Sequence, residues 1–113
     1  MDEQVGKYLY DMAEAIASIF SYLGDKRDFS SYLGSKMLRR AVEREFEIIG
    51  EAMNRIAKID PDIAISSKMQ IISMRNRVIH GYDKIDDAIV WGAIVKYLPI
   101  LQDEIAALMK QYR

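Results

Sequence analysis

Arg75, Asn76, His80 and Tyr82 are the residues of this chain whose types and spacing could do chemistry. They fall in one run, Met74-Arg75-Asn76-Arg77-Val78-Ile79-His80-Gly81-Tyr82-Asp83, which holds the only histidine. An imidazole gives or takes a proton near neutral pH. A guanidinium stays charged and offers a planar fork of donors matched to phosphate oxygens. One of each is a minimal kit for cleaving a phosphodiester without a metal. On a helix, at about 100° per residue, Asn76 and His80 share a face, so the amide could orient the ring. Arg75 and His80, five apart, diverge by roughly 140°. A site using both suits two copies meeting about a two-fold axis, where one patch is repeated. The plainer reading is structural: a histidine near a helix end as a charge against the helix dipole, with the arginines a solvated face.

The longer string from Met74 to Tyr82 sets Arg, four residues, His, one residue and Tyr in order, with Asn directly after the Arg. It resembles the signature of the HEPN superfamily, and more closely that of its HepT-like branch. Glu47-Ile48-Ile49-Gly50-Glu51-Ala52 is a second match in the preceding helix, and Trp91 and Pro99 are familiar features of the last one. The resemblance covers nearly the whole chain.

That resemblance implies an all-α antiparallel bundle of four main helices, paired as a symmetric homodimer whose signature residues line one cleft. It implies a metal-independent endoribonuclease, the toxin of a toxin–antitoxin pair, acting on RNA (tRNA or mRNA) rather than DNA and needing no cofactor. Arg75, His80 and Asn76 carry the catalysis in this reading, and Arg77 and Lys84 are candidates for holding RNA or a nucleotide. Tyr82 is the implied acceptor of AMP from the partner, a minimal nucleotidyltransferase (MNT) antitoxin. Two alternatives stay open. One is a non-catalytic nucleotide-binding or helper module for a nucleotidyltransferase; the other is a purely structural helical dimer, which leaves Arg75, His80 and Tyr82 unexplained.

Composition bounds what can position these residues. The chain's 113 residues suit a single domain, 1–113, with one core. Half are hydrophobic and 29% are charged, with a net charge of −1. Nothing in that balance attracts RNA globally, so any RNA contact needs a local basic patch. No cysteine and one histidine leave neither a disulfide framework nor the ligands for a zinc site within one chain. No apolar run approaches the length of a membrane span and no leader pattern is present, so the expected location is the cytoplasm.

Apolar residues at i, i+3 and i+4 predict a first helix over Glu3–Leu23, with Val5, Leu9, Met12, Ala13, Ile16, Phe20 and Leu23 on its buried face. Tyr8, Tyr10 and Tyr22 fall at the margins of that face. A second helix is expected from Ser31 or Ser35 to Ile59, stopped by Asp60-Pro61. Glu45 falls on its core stripe, where an apolar residue would be expected. Glu43, Glu47 and Glu51 repeat at i, i+4, i+8 and need compensating arginines, either Arg75 or Arg77 from the motif or Arg40, Arg44 or Arg55 from the same helix. Gly50 in mid-helix costs about 1 kcal/mol against alanine, which suggests the close approach of another helix. The motif helix is expected to begin at a serine cap (Ser66 or Ser67), to stop at Gly81, and to be apolar on enough sides to be buried between partners. A last helix over Ile85–Gln111 is expected to kink at Pro99. The excess apolar surface of its first half argues for a second subunit.

Overall fold

The computed structural model describes residues 2–25, 27–80 and 86–111 and contains six helices. They are α1 (Glu3–Leu23), α2 (Phe29–Gly34), α3 (Lys36–Ile59), α4 (Lys68–His80), α5 (Asp87–Lys96) and α6 (Leu98–Gln111). Short side chains set most of the starts. Asp2 accepts from the Gln4 N–H at 2.7 Å to cap α1, and Asp86 accepts from the Ala88 N–H at 3.0 Å to cap α5. Asp28 caps α2 by accepting from both the backbone N–H and the hydroxyl of Ser31, and these bonds hold its carboxyl below the usual aspartate range. Gly24, with φ at 66°, ends α1 in the left-handed region that a side chain disfavours.

Ser35 decides between the two expected starts of the long helix. Its hydroxyl accepts from the Leu38 N–H at 3.1 Å and opens α3, while the segment around Ser31 forms the separate short helix α2. The expected serine cap of α4 is not made by Ser67, whose buried hydroxyl has no partner among the described residues. The Ser66 N–H instead donates to Glu104 on α6 at 3.0 Å. Ile63 and Ile65 are buried, and Lys68 donates to the Pro61 and Ile63 carbonyls. The connector before α4 is thereby pinned to the core.

α3 is the axis of the bundle, with α1, α2 and α4 packed against it and α6 closing over α1. Tyr22, late in α1, donates to Glu45 at 2.8 Å, and Tyr8, early in α1, lies beside Glu51 and Arg55 farther along α3. The two helices therefore run antiparallel. With extents of 43 × 31 × 19 Å, the molecule is about two helix diameters thick. Leu9, Met12, Ile16 and Ile19 of α1 pack with Phe46, Ile49 and Met53 of α3 and Leu98 and Leu101 of α6 in one buried cluster. No helix is long and apolar enough to cross a membrane among the described residues.

Three expectations need correction. Glu45 is off the core stripe, half-buried and bonded by Tyr22; the acid that is buried is Glu43, 8% exposed and three residues before Phe46. The last helix does more than kink. It divides at Tyr97 into α5 and α6, two residues before Pro99, whose ring nitrogen has no N–H for the turn behind it. α4 is not enclosed within one chain: Ile71 and Met74 are buried, yet Met69 is 73% and Ile79 41% exposed. α3 covers one flank of α4, and on another, among the described residues, an open cleft lies between α4 and Ile89 and Tyr97.

Candidate active site

Arg75 lies on the flank of α4 that meets α3, and Gly50 makes the meeting possible. A Cβ placed on Gly50 would overlap the Cβ and Cγ of Arg75 and come within 3.3 Å of its Cα. Any larger residue at position 50 would push α4 off α3. The absence of a side chain there lets the Arg75 backbone sit almost on the α3 surface.

The guanidinium is then held from two directions. Arg75 Nη2 pairs with Glu51 Oε2 at 3.0 Å, and Nη1 donates to Asn76 Oδ1 at 3.3 Å. Arg75 Nε is buried without a partner among the described residues. A guanidinium has five N–H donors, so after Glu51 and Asn76 are served, further N–H groups on the two terminal nitrogens remain for a ligand.

Glu51 is shared. Its other oxygen, Oε1, accepts from Arg55 Nε at 2.8 Å. One carboxylate thus bridges two guanidiniums from two helices, leaving the trio with net charge +1. The bond to Glu51 first, and then the nearby Tyr8 hydroxyl, hold the Arg55 guanidinium's pKa above the usual arginine value. The acidic line of α3 draws on both expected sources of compensation. Glu43 pairs with Arg40 at 3.3 Å and Glu47 with Arg44 at 2.9 Å within α3, while Glu51 takes Arg55 from its own helix and Arg75 from the motif.

The remaining motif residues divide. Arg77 is exposed and faces away from Arg75, lining a separate cleft of 440 Å³ with Met69, Met74, Ile89 and Tyr97. The two arginines therefore do not form one phosphate clamp in a single chain. The Asn76 side chain serves Arg75. His80 is the last residue of α4; its side chain lies outside the described residues, and with it the expected orientation of the ring by Asn76. Gly81 as the helix stop, Tyr82 and Lys84 also lie outside the described residues. Among the described residues no group of three His, Cys, Asp or Glu could hold a metal ion.

Sequence reasoning left Glu51 and Gly50 out of the site. Their signals were present: a glycine in mid-helix and an acid at the end of a like-charged line each demand a neighbour. Arg55 was considered only as a surface counter-charge.

A family model described as "Ribonuclease HepT-like" matches residues 12–108. The chain is 32% identical over 107 residues to "Probable ribonuclease HepT" of Thermococcus cleftensis, covering 91% of this chain and 94% of the relative. It is 30% identical over 105 residues to a "Putative RNase" of Methanocaldococcus jannaschii, covering 89% of this chain and 93% of the relative. A second protein of that name and organism is 28% identical over 113 residues, covering 96% and 89%. No solved structure matches.

Proposed function

The chain belongs to the HepT-like ribonuclease family, and from that premise we propose that it is a metal-independent endoribonuclease, the toxin of a toxin–antitoxin pair. The observation that carries the reading is Arg75: a guanidinium seated against α3 at Gly50, fixed by Glu51 and Asn76, with donors to spare. Such a preorganised cation is suited to charge that builds on a phosphate in its transition state.

In this reading His80 takes the proton of a ribose 2′-hydroxyl. The 2′-oxygen then bonds to phosphorus, the bond from phosphorus to the 5′-oxygen breaks, and that oxygen receives a proton. Arg75 stabilises the crowded phosphorane-like state, and Asn76 holds Arg75. The products are a 2′,3′-cyclic phosphate, or its hydrolysed form, and a 5′-hydroxyl.

The protein acts as a homodimer in the cytoplasm. Met69 and Ile79 of α4 and Ile89 and Val95 of α5 are exposed apolar residues, Met69 and Ile89 line one cleft, and a second copy would cover such surface. An MNT-type nucleotidyltransferase silences the toxin by joining the AMP phosphorus of ATP to the Tyr82 oxygen, with pyrophosphate leaving. Added phosphate close to the motif competes for the charge that RNA needs.

The test is cleavage of total tRNA and mRNA in EDTA by the folded dimer, wild type against His80→Ala. Cyclic-phosphate ends that disappear in the variant are expected. Equal cleavage by both proteins, or none by wild type on any RNA class, overturns the reading. For the silencing step, intact mass after co-expression with the nucleotidyltransferase should rise by one AMP and stay unchanged in Tyr82→Phe. A rise that persists in that variant removes Tyr82 from the scheme.

A further inference from the structure

Beside the Arg75–Glu51 contact, a groove runs between α1 and α3. Positions 51, 54, 55 and 58 share one face of α3, at the i, i+3, i+4, i+7 spacing of a helix. With Gln4 and Tyr8 of α1 they line a 310 Å³ cavity that contains Tyr8, Asn54, Arg55 and Lys58. Glu51 is a wall of this cavity and also the partner of Arg75. The cavity therefore opens next to the guanidinium that the proposed cleavage uses.

The groove has a chemical direction. At this end two cations, Arg55 and Lys58, line the cavity against a single acid, Glu51, whose other oxygen holds Arg75. Farther along, a neighbouring 230 Å³ cavity shares Tyr8, Glu51 and Arg55 and adds Asp11 and Glu47 against a single further cation, Arg44. A polyanion is accepted at the first end and opposed at the second. Arg55 bonds Glu51 through Nε and lies against the Tyr8 hydroxyl, and with its side chain 55% exposed its terminal nitrogens still keep donors for a ligand.

We propose that the Tyr8–Asn54–Arg55–Lys58 end of the groove is a subsite for the nucleotide adjoining the scissile phosphate of a single-stranded RNA. This rests on the ribonuclease reading and extends it. Half-buried Tyr8 supplies a ring for base stacking, and half-buried Asn54 supplies an amide for base edges or the 2′-hydroxyl. Arg55 and Lys58 hold the neighbouring phosphate. The volume falls within the range of pockets that enclose a small ligand, about 300–1,000 Å³. Substrate would enter from the cationic end and be turned back by Asp11 and Glu47, leaving the scissile bond at Arg75.

The test is binding of a 2′-O-methyl single-stranded oligonucleotide, which resists cleavage, to the full-length protein across a salt series. Lys58→Glu and Tyr8→Leu are compared with Lys110→Glu and Tyr10→Leu, matched changes at exposed positions that do not line the groove. Lys58→Glu is expected to weaken binding about tenfold and to lower the salt slope by about 0.7, one phosphate's worth on a single strand. Tyr8→Leu should weaken it about tenfold through lost stacking, and the two control variants should bind within about twofold of wild type. Lys58 is exposed, so its variant carries the test even if Tyr8→Leu does not fold. Wild type that cleaves RNA while both groove variants bind like the controls overturns the subsite and leaves the ribonuclease reading intact. Wild type that neither binds nor cleaves RNA overturns both. Groove variants that keep RNA binding but lose the nucleotidyltransferase make the groove a protein-docking surface and overturn the subsite.

Discussion

Among the polar contacts that α3 makes with other helices, two, one at each half, are built in different ways. Toward its N-terminus, Glu43 is nearly buried and bonded to Arg40, while Arg39 reaches Asp87 at 3.9 Å. Tyr32 is buried there, with Trp91 5.5 Å from its ring and also packed on Phe29. Toward the other end, Glu51 and Arg75 keep 39% and 27% of their side chains exposed, and a glycine replaces the side chain that would separate the helices. The first contact buries one acid, Glu43, near a cluster of three aromatic rings that ties α2 to α5, and the Arg39–Asp87 pair joins α5 to α3. The second gives up helix propensity, about 1 kcal/mol at Gly50, and leaves Arg75 Nε without a partner among the described residues. At the corner the acid Glu43 and the phenol of Tyr32 are buried, and only their charged neighbours reach the surface. The α3–α4 seam holds one cation at the surface at some cost to stability, as a binding or catalytic site requires.

The strongest way to break this comparison is to remove the cation. Arg75→Ala should lower the cleavage rate by at least about 100-fold, the usual loss on deleting a donor to transition-state charge. Its melting temperature should change little, because the lost ion pair is partly exposed. Single-turnover kinetics with a thermal melt checks both. A variant that unfolds instead would make the seam structural, like the aromatic corner.

The next effect is at Gly50. Gly50→Ala puts a methyl group where Arg75 Cβ stands, and overpacking of that kind costs about 1–3 kcal/mol. The signature is relief in a double variant: in an Arg75→Gly background the added methyl should cost far less, read as a coupling energy from urea denaturation. Additive penalties would place the strain elsewhere.

How far the sequence could be read follows from these same residues. The helical period located α1 and the end of α6, since a strong apolar stripe reports its own burial, and Asp60-Pro61 marked the C-terminal limit of α3. Gly50 announced a close neighbour but not which one, because a missing side chain carries no information about its partner. The Glu43–Glu47–Glu51 line asked for arginines. That each acid drew one from its own helix, with Glu51 alone adding one from α4, depends on helix rotation that composition does not encode. Glu45 was misplaced for the same reason: a rotation of one residue on α3 exchanges it for Phe46. The motif gave Arg75 and Asn76 as candidates, but their contact with each other and the opposite face taken by Arg77 are tertiary facts.

At the aromatic corner a smaller effect is expected. Tyr32 is buried with its hydroxyl unpartnered among the described residues, and burial, with Asp87 and Glu43 near, pushes its phenol pKa well up. A buried hydroxyl without a bond costs free energy that phenylalanine does not. Tyr32→Phe should therefore raise stability by up to about 1 kcal/mol and leave RNA cleavage as in wild type. A loss of stability would show that the hydroxyl is satisfied, and the corner would then be better solvated than its packing indicates.

The least of the effects is a pH dependence, and it separates the two acids most directly. Burial raises the Glu43 carboxyl above the usual glutamate range; Arg40 opposes the rise and Asp87 adds to it. The folded state therefore binds this proton more tightly than the unfolded chain does. That contribution to stability is complete below the ordinary glutamate value of about 4.3 and is lost as pH rises through the higher folded-state value. At neutral pH the buried carboxylate is a burden that Glu43→Gln removes, and the Arg40 bond lost with it is small because the Arg40 side chain is 67% exposed. Melting temperatures of wild type and Glu43→Gln should differ in the variant's favour at pH 7 and converge as pH falls toward about 4.5. If wild type instead loses ground on acidification, its ion pair with Arg40 outweighs burial, and Glu43 behaves like the exposed carboxylate at the seam.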